Sequence, residues 1–330
     1  MSIITLKNKN TVAKVDTVGA QLISLEIDGI EVMFNGARKP ERAQWPASAK
    51  NLFPNPGPVG THNEEYGELK TVELPVGDTT KKHTIYHHNG GSYAMPQHGF
   101  AQYRDFHVQG KTPSTCIMSI THEDGTWSEY PYQFKYGVAM EVDSDGQFVY
   151  SAFTRNDDNK PILAGMGWHP AFKLHGDAKR YTIVFNNLVK TEDCDLEEGV
   201  HYSIDEIVSQ GKSIRFSGIV DADVTLMYTK ASGKTVPYLT MHTNQPVLVL
   251  WSRPATEDNQ ENFICIEPWN TTPRQIQKLT HQHKTPALAQ GDDPAKIIDE
   301  GCYASMVIPV RIHPQYIKVL TKQKHEEREI

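Results

Sequence analysis

The stretch Gln21 to Gly36, QLISLEIDGIEVMFNG, contains two short apolar runs, and each run is closed by a turn pair. The runs are rich in Ile, Leu, Val and Phe, which favour β-strands over helices. Asp28-Gly29 and Asn35-Gly36 tolerate positive φ and therefore favour tight turns between antiparallel strands. This stretch predicts a β-hairpin arrangement and sets the expectation for the rest of the chain.

The same pattern of short strand-like runs and turn residues recurs along the sequence. Runs of this type occupy residues 116–121, 135–142, 148–154, 181–185, 224–228, 238–241, 246–251 and 263–267. Few windows show helical periodicity, and short helices are expected only near residues 294–300 and in the C-terminal tail. No GxGxxG or GxxxxGK[ST] motif occurs, which disfavours nucleotide-binding α/β folds. We therefore predict an all-β protein, a large and mostly antiparallel β-sandwich.

Length and charge limit the organisation and the partners of the protein. The chain has 330 residues, 38% of them hydrophobic, which is enough for a sizeable core. We expect one domain over residues 1–317 and a charged, solvated tail over residues 318–330. The net charge is −7, from 33 basic and 40 acidic residues, and no basic stretch suits a phosphate backbone. We predict no nucleic-acid partner.

The expected location is cytoplasmic, for three reasons. The N-terminus resembles a first strand and not a signal peptide. No segment approaches the roughly 18 apolar residues of a membrane span, so no membrane association is expected. The four cysteines show no CxxC pairing, which predicts reduced thiols without a zinc or disulfide framework.

Three short motifs each place an ionisable side chain at the edge of an apolar run. They are HGFA at 98–101, GWHPAF at 167–172 and IEPW at 266–269. Two imidazoles and one carboxylate, from His98, His169 and Glu267, suffice for proton transfer near neutral pH. A structural interpretation also stays open for each: a turn histidine, a buried histidine at a strand end, and a salt-bridged glutamate.

Glu267 and Trp168 carry the strongest functional signals of the three motifs. Glu267 ends the most apolar run of the chain, and burial there would raise its pKa toward the range of a useful base. Trp168 places an aromatic ring beside His169, and such a ring can bind the C–H face of a sugar. These features favour an enzyme.

The ordered set HGFA, GWHPAF and IEPW resembles the aldose 1-epimerase (galactose mutarotase) family, most closely its branch of bacterial mutarotase-like proteins. The segments WPASAKNLFP at 45–54 and EYPYQF at 129–134 extend the resemblance, which runs from about Gly19 to about Trp269. It implies a β-supersandwich of the galactose mutarotase type, with no cofactor and no metal. It also implies an isomerase of carbohydrate metabolism that interconverts the α and β anomers of a free aldohexose.

The resemblance implies a role for each motif residue. Glu267 is the base that takes the proton of the anomeric hydroxyl, His169 is the acid that protonates the ring oxygen, and His98 hydrogen-bonds the sugar. The side chains expected to bind the substrate are Trp168, Phe100, Trp269, Arg104 and Asn51. The partner is a small-molecule sugar, and the protein is expected to be a monomer or a homodimer.

The chain departs from the family pattern at three points. The arginine after the early tryptophan is absent, and Lys50 or Asn51 could replace it in part. Gln102 stands where the family has an arginine after HGFA, so that Arg104 could be its shifted replacement. The aspartate that grips sugar hydroxyls has only Asp221 and Asp223 as candidates.

Three alternatives therefore stay open. The first is a non-catalytic carbohydrate-binding or regulatory protein on the same fold. The second is a hexose-6-phosphate 1-epimerase, which would need arginines for the phosphate. The third is a metal-dependent β-sandwich or cupin-like enzyme that uses His98, His169 and Glu267 as ligands.

Overall fold

The protein is built almost entirely from β-strands. The computed structural model describes residues 2–34, 49–58, 62–63, 67–76, 79–88, 90–253, 262–271 and 297–326. The strands are β1 (Ile3–Asn8), β2 (Thr11–Asp16), β3 (Gln21–Ile27), β4 (Ile30–Glu31), β5 (Ala49–Leu52), β6 (His62–Asn63), β7 (Gly67–Glu68), β8 (Thr71–Val76), β9 (Thr79–His88), β10 (Gly91–Pro96), β11 (His107–Lys111), β12 (Thr115–Thr121), β13 (Phe134–Val142), β14 (Phe148–Asn156), β15 (Ile162–Leu163), β16 (Gly167–Leu174), β17 (Tyr181–Lys190), β18 (His201–Ser203), β19 (Ser213–Ser217), β20 (Ile219–Thr229), β21 (Thr235–Thr243), β22 (Val247–Trp251), β23 (Asn262–Trp269), β24 (Ile297–Ile298) and β25 (Tyr303–Ile312). The α-helices are α1 (Asp205–Gln210) and α2 (Pro314–Glu326).

Two antiparallel sheets carry most of the structure. A nine-stranded sheet has the order β11-β12-β13-β14-β25-β21-β20-β17-β18, and a five-stranded sheet has the order β19-β22-β23-β16-β5. Smaller sheets are formed by β1 to β4, by β8 to β10, and by the pairs β15-β24 and β6-β7. The prediction of an all-β, mostly antiparallel fold is confirmed, since every strand predicted from 116–121 onward coincides with an observed strand.

The helix predictions need one correction. At 294–300 the described residues Ile297–Ile298 form β24, where Ile298 pairs with Ile162, and the turn predicted at 35–36 lies outside the described residues. The C-terminal helix α2 begins before residue 317 and buries Tyr316 and Leu320 against the core. Across the described ranges, neither helix is long and apolar enough to cross a membrane.

The two large sheets meet through aromatic contacts. The ring of Tyr150 on β14 stacks on the ring of Trp168 on β16, with centroids 4.6 Å apart and planes 6° from parallel. Because side chains alternate along a strand, Trp168 and Phe172 enter this core, while His169 and Ala171 face the other side of β16. That other face of the five-stranded sheet carries the candidate site.

Buried hydrogen bonds fix the position of β5. The Asn51 amide donates to the carbonyls of Gly19 and Ala20 at 2.7 and 2.6 Å, and its oxygen accepts from the Tyr150 hydroxyl at 2.6 Å. Asn51 is fully buried, so these bonds hold β5 in one register against β16. Its neighbour Lys50 must then face the opposite side of the sheet.

Candidate active site

The strand register brings His169 and Glu267 together. Gly167 pairs with Trp269 and Ala171 with Cys265, so His169 stands opposite Glu267 across β16 and β23. Nε2 of His169 lies 3.3 Å from Oε1 of Glu267, and the two residues are only 4% and 1% exposed. An imidazole and a carboxylate in hydrogen-bonding reach, shielded from bulk water, form an acid–base pair.

His98 reaches the same pair from a tight turn after β10. His98 has φ 66° and Gly99 has φ 75°, and Gly99 pairs with Phe53 so closely that a Cβ at Gly99 would collide with the Phe53 carbonyl. The backbone N–H of Gly57 donates to Nδ1 of His98 at 3.0 Å. This bond leaves the proton of the neutral imidazole on Nε2. The His98 and His169 rings lie 5.3 Å apart.

Gln102 braces the turn that carries His98. Its side-chain amide donates to the carbonyls of Gln97 and Gly99 at 2.9 and 3.1 Å, one on each side of His98. Gln102 is 3% exposed. The residue at the family's arginine position therefore serves the backbone of the turn in this chain.

Two tryptophans flank the imidazoles. The Trp269 ring lies 6.1 Å from the His98 ring, and the Trp251 ring lies 5.9 Å from the His169 ring, both in edge-to-face orientation. Trp269 is 4% exposed, while Trp251 is half-buried. Trp251 therefore keeps aromatic surface open beside the acid–base pair, where a sugar ring could stack.

Lys50 brings a positively charged side chain to the site. It pairs directly with His169 across β5 and β16, and directly opposed residues of an antiparallel pair share a face. Burial lowers the Lys50 pKa to about 8, with a smaller effect of the same sign from Lys81, while Cys265 and Glu267 act in the other direction. Lys50 is therefore still mostly protonated at neutral pH, with its pKa close to the working range.

Burial sets the protonation of the three motif residues. It raises the pKa of Glu267 well above the ordinary carboxyl value. The nearby Trp269 indole and the Lys50 ammonium oppose this rise. The N–H of the indole has no hydrogen-bond partner among the described residues. Burial lowers the pKa of His169, aided by His98 and Lys50, and it lowers the pKa of His98, aided by Lys50. Both imidazoles are therefore neutral at neutral pH.

The structure brings His98, His169, Glu267 and Trp269 together, but it places other predicted substrate-binding residues elsewhere. Trp168 is fully buried in the core, on the face of β16 opposite to His169. Asn51 is committed to the interlayer hydrogen bonds of β5. Both differences have one cause, which is that neighbouring residues of a strand face opposite sides.

Phe100 and Arg104 also have structural partners. Phe100 is fully buried and packs edge-on against Phe53, 5.8 Å away. Arg104 forms an ion pair with Glu129 and lies over the Phe100 ring. The ion pair with Glu129 gives Arg104 a structural role that requires no sugar contact.

The candidate aspartates lie on the other sheet. Asp221 and Asp223, on β20, contact Nε2 and Nδ1 of His242 at 3.3 and 3.0 Å. β20 belongs to the nine-stranded sheet, whereas the acid–base pair lies on the five-stranded one. Neither aspartate joins the site.

The sequence predictions do not include three residues of the site: Lys50 enters them only as a substitute for an arginine, and Trp251 and Cys265 are absent from them. Cys265 lies two positions before Glu267, so strand alternation alone could have placed both on one face. The positions of Lys50 and Trp251 depend on pairing between strands distant in sequence. No local signal reports such pairing.

Cys265 adds a sulfur donor next to the acid–base pair. Within the described part of the chain, ligand atoms of His169, Cys265 and Glu267 lie within 4.8 Å of one another and could hold a metal ion. The set differs from the His98, His169 and Glu267 combination expected for a metal enzyme, since Cys265 takes the place of His98. Sulfur, imidazole and carboxylate ligands together suit zinc.

Fold and site together define a β-sandwich protein with a buried acid–base centre. The aldose 1-epimerase family model matches residues 74–285, well over half of the chain. The chain therefore belongs to the aldose 1-epimerase family. No curated protein matches it at a significant level.

Solved structures show the same fold at low sequence identity. A galactose mutarotase related enzyme from Lactobacillus acidophilus is 18% identical, with a TM-score of 0.67 and coverage of 94% of this chain and 97% of that one. A galactose mutarotase-like protein from Lactobacillus casei is 20% identical, with a TM-score of 0.62 and coverage of 94% and 100%. The galactose 1-epimerase of Lactobacillus acidophilus is 14% identical, with a TM-score of 0.55 and coverage of 94% of both chains. These likenesses establish a galactose mutarotase-like fold.

Proposed function

We propose that this protein is an isomerase that interconverts the α and β anomers of a free aldohexose by acid–base catalysed ring opening. The observation that carries the proposal is the buried pair of His169 and Glu267, with 3.3 Å between Nε2 and Oε1. Membership of the aldose 1-epimerase family supports a mutarotase-like reaction. Trp251, exposed in part beside His169, offers a surface for the sugar ring.

In the proposed reaction Glu267 acts as the base. Its carboxylate takes the proton of the anomeric hydroxyl, the anomeric carbon becomes a carbonyl carbon, and the ring C–O bond breaks. An acid then protonates the ring oxygen, and the family resemblance implies His169 for this step. Rotation about the first C–C bond and the reverse steps give the other anomer. A positioned acid or base typically contributes on the order of 10²- to 10⁴-fold to the rate.

The pKa of Glu267 suits its role. A carboxyl group with a raised pKa is a stronger base once ionised, and the neighbouring Lys50 ammonium favours the ionised form. Nε2 of His98 lies 3.3 Å from the side-chain amide of Gln97, and a sugar hydroxyl that displaces this amide would accept the Nε2–H hydrogen bond. These features support a reaction near neutral pH.

The test is anomer exchange measured by NMR saturation transfer. Galactose, glucose and other free aldoses are offered separately, with glucose 6-phosphate as a further substrate. We expect exchange of a free aldose that disappears in Glu267→Gln, because the amide keeps the shape and loses the basicity. The matched control is Glu26→Gln, which changes a surface carboxylate beside Lys14 and should retain full exchange.

The outcomes separate the alternatives. Exchange confined to glucose 6-phosphate would assign the protein to sugar phosphates. Sugar binding without exchange would favour a carbohydrate-binding protein. Activity that requires zinc and disappears in chelator and in Cys265→Ala would favour metal chemistry at His169, Cys265 and Glu267.

A further inference from the structure

Cys265 and Glu267 place a thiol and a carboxylate on the same face of β23, because they are two positions apart on one strand. The register places Ala171 opposite Cys265, and His169 lies two residues before Ala171, opposite Glu267. Ala171 carries only a methyl group, which leaves room for the diagonal approach of the Cys265 thiol to His169. A sulfur, a nitrogen and an oxygen donor thus converge from two paired strands.

The distances between these donor atoms suit a tetrahedral metal ion. Nε2 of His169 lies 3.3 Å from Oε1 of Glu267. Zinc binds nitrogen and oxygen at about 2.0–2.2 Å, so two such ligands at the tetrahedral angle lie about 3.3–3.6 Å apart. The ligand atoms of His169, Cys265 and Glu267 lie within 4.8 Å of one another. A shift of the sulfur by about 1 Å or less would complete the set.

The sulfur and carboxylate donors are buried and have capacity for a metal ion. Cys265 is fully buried and is not part of a disulfide. Oε2 of Glu267 is also buried and has no hydrogen-bond partner among the described residues. Buried polar atoms are normally satisfied, so an open carboxylate oxygen beside a free thiol indicates a ligand. Sulfur and imidazole are poor ligands for magnesium and calcium, which favours zinc.

We propose that His169, Cys265 and Glu267 bind a zinc ion and that the bound zinc inhibits the protein. The thiol of Cys265 loses its proton to the solvent as the sulfur–zinc bond forms, while His169 binds as a neutral imidazole and Glu267 as a carboxylate. The thiolate and the carboxylate together cancel the double positive charge of zinc, so that the ion can lie on the same face as Lys50. The inhibition rests on the proposed function, because zinc occupies the base and the acid of ring opening at once. The binding of zinc does not rest on it.

The first experiment measures binding in the full-length protein after treatment with chelator. Zinc chloride is titrated in a calorimeter, and cobalt chloride is titrated in a spectrophotometer. We expect one tight equivalent of zinc and, with cobalt, the charge-transfer band of a thiolate ligand. Cys265→Ser should lose the band and weaken zinc binding by at least about 10- to 100-fold. Cys302→Ser changes an exposed cysteine outside the site and should keep both.

The second experiment measures anomer exchange in the same proteins with and without zinc chloride. Zinc should lower parental exchange by about 10²-fold or more, because both proton-transfer groups are occupied. Addition of EDTA should restore the exchange. At the zinc concentration that saturates the parental protein, Cys265→Ser should lose a much smaller share of its own exchange. Cys302→Ser should respond to zinc as the parental protein does.

Binding and inhibition are tested separately by these measurements. Equal zinc affinity in the parental protein and in Cys265→Ser, or a cobalt spectrum without the thiolate band, would overturn the site. If Cys265→Ser unfolds, as its melting curve would show, Glu267→Gln decides, since it should also weaken zinc binding while the sulfur is unchanged. Bound zinc with unchanged or faster exchange would overturn the inhibition. A parental protein without exchange in either condition would overturn the proposed function, whereas the zinc titration and the cobalt band would still decide the site.

Discussion

Nε2 of His169 and Oε1 of Glu267 face each other at 3.3 Å across β16 and β23, and less than 5% of either residue is exposed. The pair lies on the face of the sheet opposite to the stacked rings of Tyr150 and Trp168. A stacked aromatic layer therefore lies directly behind the pair. Such packing restricts the movement of the strand that carries His169.

We predict that Glu267→Gln makes the protein more stable while it abolishes turnover. The folded-state pKa of Glu267 is raised, so burial of the ionised carboxylate opposes folding. Protonated Glu267 favours the folded state over the unfolded state. This stabilisation is fully present below the unfolded pKa of about 4.3 and is lost as pH rises through the folded pKa. At pH 8 the variant should melt about 2–4 °C higher than the parental protein, measured by calorimetry.

The same measurement at lower pH supplies the control. Below pH about 3 the carboxyl group is almost fully protonated in both the folded and the unfolded state. The difference in melting temperature should then shrink toward zero. An equal difference at both pH values would show that the gain has a cause other than ionisation of Glu267.

His169→Asn should lower kcat by about 10- to 100-fold and change the apparent sugar affinity by less than about threefold. The asparagine removes the imidazole proposed to protonate the ring oxygen, while the tryptophans that line the site remain. Steady-state anomer exchange measures both constants. His107→Asn, at an exposed residue that contacts Asp124, should change neither constant.

The kinetic constants of His169→Asn separate two roles. A fall in kcat with little change in KM would support His169 as the acid of ring opening. A rise in KM alone would identify His169 as a binding residue.

Gly99→Ala should disrupt the turn that positions His98. A Cβ at Gly99 would collide with the Phe53 carbonyl, whereas Gly29, with the same φ of 75°, has no atom within 4 Å of such a Cβ. Gly29→Ala therefore isolates the cost of positive φ, about 1–2 kcal/mol. We expect Gly99→Ala to cost several kcal/mol in denaturant unfolding and to lower kcat/KM. Equal costs for the two variants would contradict the proposed close packing of Gly99.

Trp251→Ala should weaken sugar binding more than it slows turnover. Its ring lies edge-to-face with His169 and is exposed in part, which suits stacking on a sugar ring. We expect KM to rise about fivefold, since a lost aromatic contact is worth on the order of 1 kcal/mol. Trp127→Ala removes an exposed tryptophan at the start of the 127–133 loop and should leave KM unchanged. Normal sugar affinity in Trp251→Ala would place the sugar on another surface.

The sequence was sufficient to predict the strands and to single out His169 and Glu267, because each of these depends on local pattern. Runs such as 116–121 and 263–267 carry β-propensity in themselves, and Glu267 stands out as a charge at the end of an apolar run. The helix α1 was not predicted, since it is only six residues long, Asp205 to Gln210. Helices this short depend on tertiary contacts and leave little periodic signal.

The lining of the site was harder to predict. Lys50 and Asn51 are neighbours in sequence, and only the pairing of β5 with β16 decides which of them faces the candidate site. Alternation along β16 likewise places Trp168 in the core, while its neighbour His169 lies on the opposite face. Pairing between distant strands is a long-range property, and a one-residue change of register exchanges the two faces.

The short strand β5 consequently makes this protein sensitive to the length of the chain around it. Asn51 faces the core and Lys50 faces the site. Deletion or insertion of one residue within β5 would exchange these places, bringing an amide to the reaction centre and a lysine charge into the aromatic core. Point substitutions on β5 change one face at a time, whereas a single-residue indel changes both. Relatives with the same site should therefore vary in length outside 49–52 and not within it.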